Sequence, residues 1–260
     1  MSRLGISSAC YYPITTEQSF LELCRNDIKC IELFFNSPSE ISEKFISEIS
    51  GYQKEFDIEI PSIHPFMSFA ESFYLFSSYE RRFYDIIDLY KRFFEIMNVL
   101  GSEIFIFHGI KNPGTISDEE YFERFHKMIE IGKEYNITVC QENVVNYKSE
   151  SIDFLQKMKN QLGSDFSMVL DIKQAVRTGY DPFDFVYEFH NNIKHIHISD
   201  HNTLNSCIPP LEGNFDFKRF FELLKSNGYN GKFIIELYEY SYKEKSQIYN
   251  AYNKLLQLLN

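Results

Sequence analysis

Along the whole chain, short apolar runs of β-prone residues alternate with longer stretches of helical period. The short runs are LGISSA at Leu4, CIELFF at Ile31, IEIPSIH ending at His64 and EIFIFHG ending at His108. They continue with ITVCQEN around Glu142, SMVLDIK at Asp171, IKHIHIS around His197 and FIIELY around Glu236. Between them lie amphipathic segments. TTEQSFLELCRN opens on a Thr N-cap signal and repeats at Phe20, Leu23 and Cys24. The stretch from Tyr79 to Leu100 is long and periodic, and Gly101 stops it. SDEEYFERFHKMIEIGKEY begins with Ser117 and Glu120 in capping-box spacing. DFKRFFELLKSNGY closes the seventh unit, and a last helix runs from about Tyr242 to the C-terminus.

Eight strand–helix units in 260 residues average about 32 residues each, the size of a βα repeat. Runs such as FIF, MVL and FII are continuously apolar, as parallel strands covered on both faces must be. The pattern predicts an α/β protein, a (β/α)8 TIM barrel. The alternative, a doubly wound open sheet that binds a nucleotide, would carry glycines in its first turn, and SSACYYPITT has none. No low-complexity tract or Pro/Gly/Ser-rich linker interrupts the alternation, so one domain over residues 1–260 is expected.

In a barrel of this kind the C-terminal ends of all strands converge on one mouth. Nearly every predicted strand here finishes in a residue able to bind metal or move a proton: Glu32, His64, His108, Glu142, Asp171, His197 and Glu236. Taken singly, each has a bland explanation, since a lone strand histidine is usually a hydrogen-bonded core residue. Together they do not. Glu142, Asp171 and Glu236 each end an apolar run, and three carboxylates pointing into one mouth repel strongly without a cation. A mixed carboxylate and imidazole set suits Mn, Zn, Co or Mg in preference to Ca.

Composition narrows the picture modestly. Net charge is -11, from 37 acidic and 26 basic residues, which disfavours a nucleic-acid partner. The five cysteines are scattered without a CxxC pair, so neither a disulfide framework nor a thiolate zinc site is expected. MSRLGISSACYYP lacks the apolar stretch of a signal peptide, and no run reaches the ~18 apolar residues of a membrane span. The expectation is a cytoplasmic protein with no membrane partner.

These residues resemble the xylose isomerase-like barrel superfamily, which contains sugar isomerases and epimerases as well as the apurinic endonucleases. The resemblance covers essentially the whole chain. Its most specific pieces are CQEN (Cys140–Asn143), VLDIKQA (Val169–Ala175), HIHISD and FIIELY. It implies one divalent ion held by Glu142, Asp171, His197 and Glu236, with Glu142 and Glu236 also acting as the acid/base pair on a carbohydrate substrate. His64 and His108 resemble the endonuclease branch's histidines on strands three and four, and with Glu142 they are candidates for a second metal or for substrate contact. That branch also has a His three residues after the sixth-strand Asp, where this chain has Gln174, and a D-x-H motif after the seventh strand, which HNTLNSCIPPLEG lacks. Both departures point away from DNA repair.

PPLEGNFDF resembles a stretch typical of the carbohydrate-active members, with Gly213 as a turn and Asp216 as an N-cap. Lys173, Gln174, Arg177 and His201 are the substrate-binding candidates, the two cations suiting a phosphate or carboxylate. Phe34, Phe66 and Phe69 are candidates for a stacking wall, with core packing as the simpler reading. His195 shares parity with His197 but lies two residues deeper, as support for a ligand, and Asp200 orients a loop or a ligand rather than binding metal. The function expected is a metal-dependent sugar or sugar-phosphate isomerase or epimerase. A metal-dependent phosphoesterase on abasic DNA, a non-catalytic metal- or sugar-binding barrel, and a dehydratase of a cyclic polyol stay open, as does a homo-oligomer.

Overall fold

The computed structural model describes residues 3–259. The elements are β1 (Leu4–Ser7), α1 (Thr16–Arg25), β2 (Ile31–Phe34), α2 (Glu43–Phe56), β3 (Ser62–His64), α3 (Ser68–Tyr74), α4 (Glu80–Leu100), β4 (Ile104–Phe107), α5 (Asp118–Glu134) and β5 (Thr138–Glu142). They continue with α6 (Ile152–Leu162), β6 (Met168–Asp171), α7 (Ile172–Arg177), α8 (Pro182–Phe189), β7 (Ile193–Ile198), α9 (Phe217–Ser226), β8 (Lys232–Ile235) and α10 (Lys245–Leu259). The eight strands form a closed parallel barrel in sequence order, β8 pairing back onto β1. This is the single-domain TIM barrel that the periodicity predicts. Among the described residues no helix is long and apolar enough to cross a membrane.

The strands bury both faces. Outward residues such as Phe105 and Phe107 pack against the helices, where Tyr90 and Phe94 of α4 meet Phe105 edge-on and Phe93 meets it tilted. Inward residues Ile106, Cys140 and Val169 form a separate cluster that plugs the barrel's interior. All five cysteines are free and buried. Gly5 is obligatory on β1, because a Cβ there would lie 2.5 Å from the Cys30 carbonyl of the neighbouring strand.

Local signals hold with adjustments. Gly101 ends α4 in the left-handed region, φ 71°. Ser117 caps α5 by accepting from the Glu120 N–H. Thr15 stands at the start of α1 without a side-chain cap; the neighbouring Thr16 hydroxyl instead serves the β2 end, donating to the Phe34 carbonyl and to Glu40. The last helix begins at Lys245, three residues later than the pattern suggests, because residues 239–241 form a short 3-10 turn. β3 is only three residues, shortened by Pro61, whose ring removes a ladder donor.

Candidate metal centre

The barrel carries the strand-end residues to one place. In-register pairing sets Asp171 of β6 beside His197 of β7. Single ligand atoms of Glu142, Asp171, His197 and Glu236 all lie within 4.8 Å of one another, and all four side chains are buried. His197 Nδ1 faces Glu142 Oε1 at 3.0 Å, Glu236 Oε2 at 3.3 Å and Asp171 Oδ2 at 3.5 Å. The other ring nitrogen, Nε2, lies 3.1 Å from Glu32 Oε2. An Nε2–H donated to Glu32 leaves Nδ1 as the atom aimed at the carboxylates, the carboxylate–histidine arrangement that orients metal-bound imidazoles.

Electrostatics fit a cation. Burial alone would lower the His197 pKa, but Glu32, Glu236, Asp171 and Glu142 together hold it well above the ordinary histidine value. Burial would raise Glu142, yet His108, His197 and His64 keep it well below the usual carboxylate range. Asp171 is pushed up by its burial. So much carboxylate in a closed space binds whatever positive charge is at hand, which here is imidazolium and the Lys173 ammonium.

Glu32 is the strand-end acid that the sequence left without a specific place in the site. It is fully buried, and one oxygen, Oε2, accepts from Ser62 Oγ at 2.8 Å and lies 3.0 Å from His195 Nε2 and 3.1 Å from His197 Nε2. Its appearance in the apolar strand IELF was the available signal. His195 therefore supports the centre through Glu32 rather than by touching His197's ligand face. CQEN acts as a splice. The Gln141 amide donates to the His108 carbonyl at 2.9 Å, while the Asn143 side chain donates to the Asp171 carbonyl at 3.0 Å and accepts from the Asp171 N–H at 2.7 Å. Glu142 between them points inward.

A second group adjoins the first. His64 Nε2 and His108 Nε2 are 2.9 Å apart, and Glu142 Oε2 is 2.6 Å from the latter. His64 Nδ1 donates to the Pro65 carbonyl at 3.3 Å, which leaves Nε2 with a lone pair. Despite its closeness to His108, Glu142 Oε2 is buried without an aligned hydrogen bond. Two facing imidazole nitrogens and an orphaned carboxylate oxygen are the donor set that a Zn-type ion takes. Phe34 stacks on His64 with centroids 4.3 Å apart, whereas Phe66 packs into the core against Phe93. The Phe69 side chain lies outside the described residues.

The substrate-binding candidates are dispersed. Lys173 is buried, and its Nζ is hydrogen-bonded to Asp171 Oδ2 and Glu236 Oε2. Gln174 accepts from the Val145 N–H at 3.3 Å. Arg177 is exposed at the rim, donating to the Tyr238 hydroxyl at 2.9 Å, and its guanidinium lies 5.0 Å from that ring's centre. Tyr238, two residues beyond Glu236, roofs this side of the mouth, and no sequence signal set it apart from the other 17 tyrosines. His201 turns outward, against Phe215, into a groove of about 460 Å³ lined with Tyr180, Phe183 and Arg219. Asp200 organises the adjoining loop: its carboxylate accepts the N–H groups of His201, Leu211, Gly213 and Phe215 at 2.7–3.0 Å. Gly213 is needed for closeness, since a Cβ would lie 2.3 Å from the His201 carbonyl, and Asp216 caps α9.

The family model described as xylose isomerase-like TIM barrel matches residues 22–257. The chain belongs to that family. An uncharacterised protein of Methanocaldococcus jannaschii, MJ1188, is 25% identical over 250 residues, covering 91% of this chain and 89% of its own. The family fold superposes on a D-tagatose 3-epimerase-like protein with a TM-score of 0.82 at 21% identity, covering 99% of this chain and 97% of the other. It superposes on the IolI protein, solved with a bound zinc atom, with a TM-score of 0.74 at 16% identity and coverage of 99% and 95%. Sugar epimerases recur among the structural neighbours of this xylose isomerase-like barrel.

Proposed function

We propose that this barrel is a divalent-metal-dependent sugar or sugar-phosphate epimerase or isomerase. The observation that carries the reading is the buried four-donor cage of Glu142, Asp171, His197 and Glu236 at the C-terminal mouth. These residues would hold the ion, His197 through Nδ1. When bound, such an ion polarises a carbonyl and acidifies the neighbouring C–H of a hydroxy-carbonyl pair. Glu142 at the end of β5 and Glu236 just beyond β8 then act as the proton-transfer pair: one takes the proton from carbon, and the other returns it from the opposite face or the same one moves it to the adjacent carbon. Glu32 holds His197 in position. Arg177 and Tyr238 offer a rim site for an anionic end of the substrate.

The test is solvent-deuterium incorporation into a panel of ketoses and ketose phosphates with Mn²⁺ present. Glu142→Gln and Glu236→Gln should each abolish exchange by the wild-type protein's substrate. Full exchange in both variants would overturn the assignment.

The second reading, a phosphoesterase on abasic DNA, draws on the His64–His108–Glu142 group. The acidic net charge and the Gln174 departure weigh against it. Nicking of an abasic duplex in Mn²⁺ or Zn²⁺ would favour it over sugar chemistry.

A further inference from the structure

Lys173 sits where the proposed ion would bind. Asp171 has two oxygens, but Oδ1 is already committed to the backbone N–H of Gln174 at 3.0 Å, the cap of α7. Oδ2 is the oxygen that faces His197 Nδ1, and Lys173 Nζ holds it. The same ammonium also holds Glu236 Oε2. These two oxygens are 3.5 and 3.3 Å from His197 Nδ1, the third donor of the cage. An ion bonded to both oxygens at about 2.0–2.2 Å would occupy the volume of the ammonium and repel its charge.

We infer that Lys173 is a tethered competitor of the metal: ammonium or ion occupies the Asp171–Glu236 pair, never both. The charge arithmetic makes the exchange reasonable. Glu142, Asp171 and Glu236 carry three negative charges, of which one ammonium offsets one and a dication two. The side chain also has somewhere to go. Its Nζ lies 5.6 Å from the centre of the Tyr238 ring, whose face can accept a cation and which already holds Arg177. In the proposed enzyme Lys173 thus sets the ion's affinity, keeps the carboxylates paired before loading, and is delivered to the substrate side on loading.

This inference rests on the metal-dependent reading above, and the experiment separates the two. Wild type and Lys173→Met are stripped with chelator and titrated with Mn²⁺ and with Co²⁺ by calorimetry, Co²⁺ also by its visible absorption. Lys173→Met should bind the ion about ten- to a hundredfold more tightly, since the competitor's buried ion pair no longer has to be broken. The stripped variant should melt below stripped wild type, and its melting temperature should rise more on adding the ion. If the stripped Lys173→Met protein does not fold, Lys173→Gln, which keeps a hydrogen-bond donor without the charge, carries the same comparison. Unchanged or weaker affinity in the variant overturns the competition and leaves the metal-dependent reading standing. Binding by neither protein overturns both.

Discussion

Replacing Glu32 by Gln tests whether the centre is built from its supporting shell. The substitution keeps the shape and removes the charge. Ser62, His195 and His197 all converge on Oε2. Hydrogen bonds to a charged acceptor are worth about 1.5–3 kcal/mol net against about 1 for neutral ones, so weakening three costs about 2 kcal/mol. Glu32 Oε1 is buried with no partner, and the amide NH2 takes its place as an orphaned donor at about 1–3 kcal/mol. The expected loss of stability is about 3–5 kcal/mol, readable as a lowered urea midpoint at unchanged slope. His197 also keeps only a neutral acceptor for its Nε2–H, which holds its tautomer and ring less firmly, so affinity for Mn²⁺ or Co²⁺ should fall about tenfold.

The pH dependence has a definite sign. Burial alone would raise the Glu32 pKa, but His197 and His195 together depress it well below the ordinary carboxylate value of 4.5. A depressed carboxylate contributes stability that is present above its unfolded pKa and lost as pH falls through the folded one. The gap between wild type and Glu32→Gln should therefore be full at neutral pH and close on acidification below about 4.5. Unchanged metal affinity in a folded Glu32→Gln protein would refute the claim that Glu32 orients a metal-binding His197.

Three further outcomes are expected. His108→Ala tests the second group: loss of one equivalent of bound metal by elemental analysis would assign that group to an ion, and an unchanged count would make His64 and His108 substrate contacts. Asp200→Ala strands four backbone N–H groups around Gly213 and should cost about 3–5 kcal/mol in urea denaturation, a loss below 1 showing that water replaces the carboxylate. Asp118 is held below its ordinary value first by Lys148, at 2.8 Å, and then by Lys157, at 3.2 Å. Its contribution is present above pH 3.8 and fades below it, so Asp118→Asn should lower the melting temperature slightly at pH 7, by no more than about 1 kcal/mol of stability, and less at pH 3.

Much of this protein was legible in one dimension. The alternation of apolar runs with helical periods determined the barrel, because each βα unit signals its own strand, cap and stop within about 30 residues. The barrel in turn determined that Glu142, Asp171, His197 and Glu236 would meet, since closed parallel topology sends every strand's C-terminal end to one mouth. Asp200 as a loop organiser and Asp216 as a cap were likewise readable, their partners being within a few residues or one loop.

What the tertiary structure alone decided is how polar atoms share one another. Lys173 reads as a substrate-facing cation until its flexible stem is seen folded back onto Asp171 and Glu236, 2 and 63 residues away. Glu32 reads as one more strand-end acid until its single oxygen is found beneath His195 and His197, 163 and 165 residues on. Glu71, buried in α3 and accepting from the Gly109 N–H and the Tyr90 hydroxyl, left no trace in SFAESFY. Strand periodicity is a local property and survives in the sequence. Which of several charged groups takes a given lone pair depends on rotamers, distances and excluded water inside a closed volume, and those exist only once the barrel has formed.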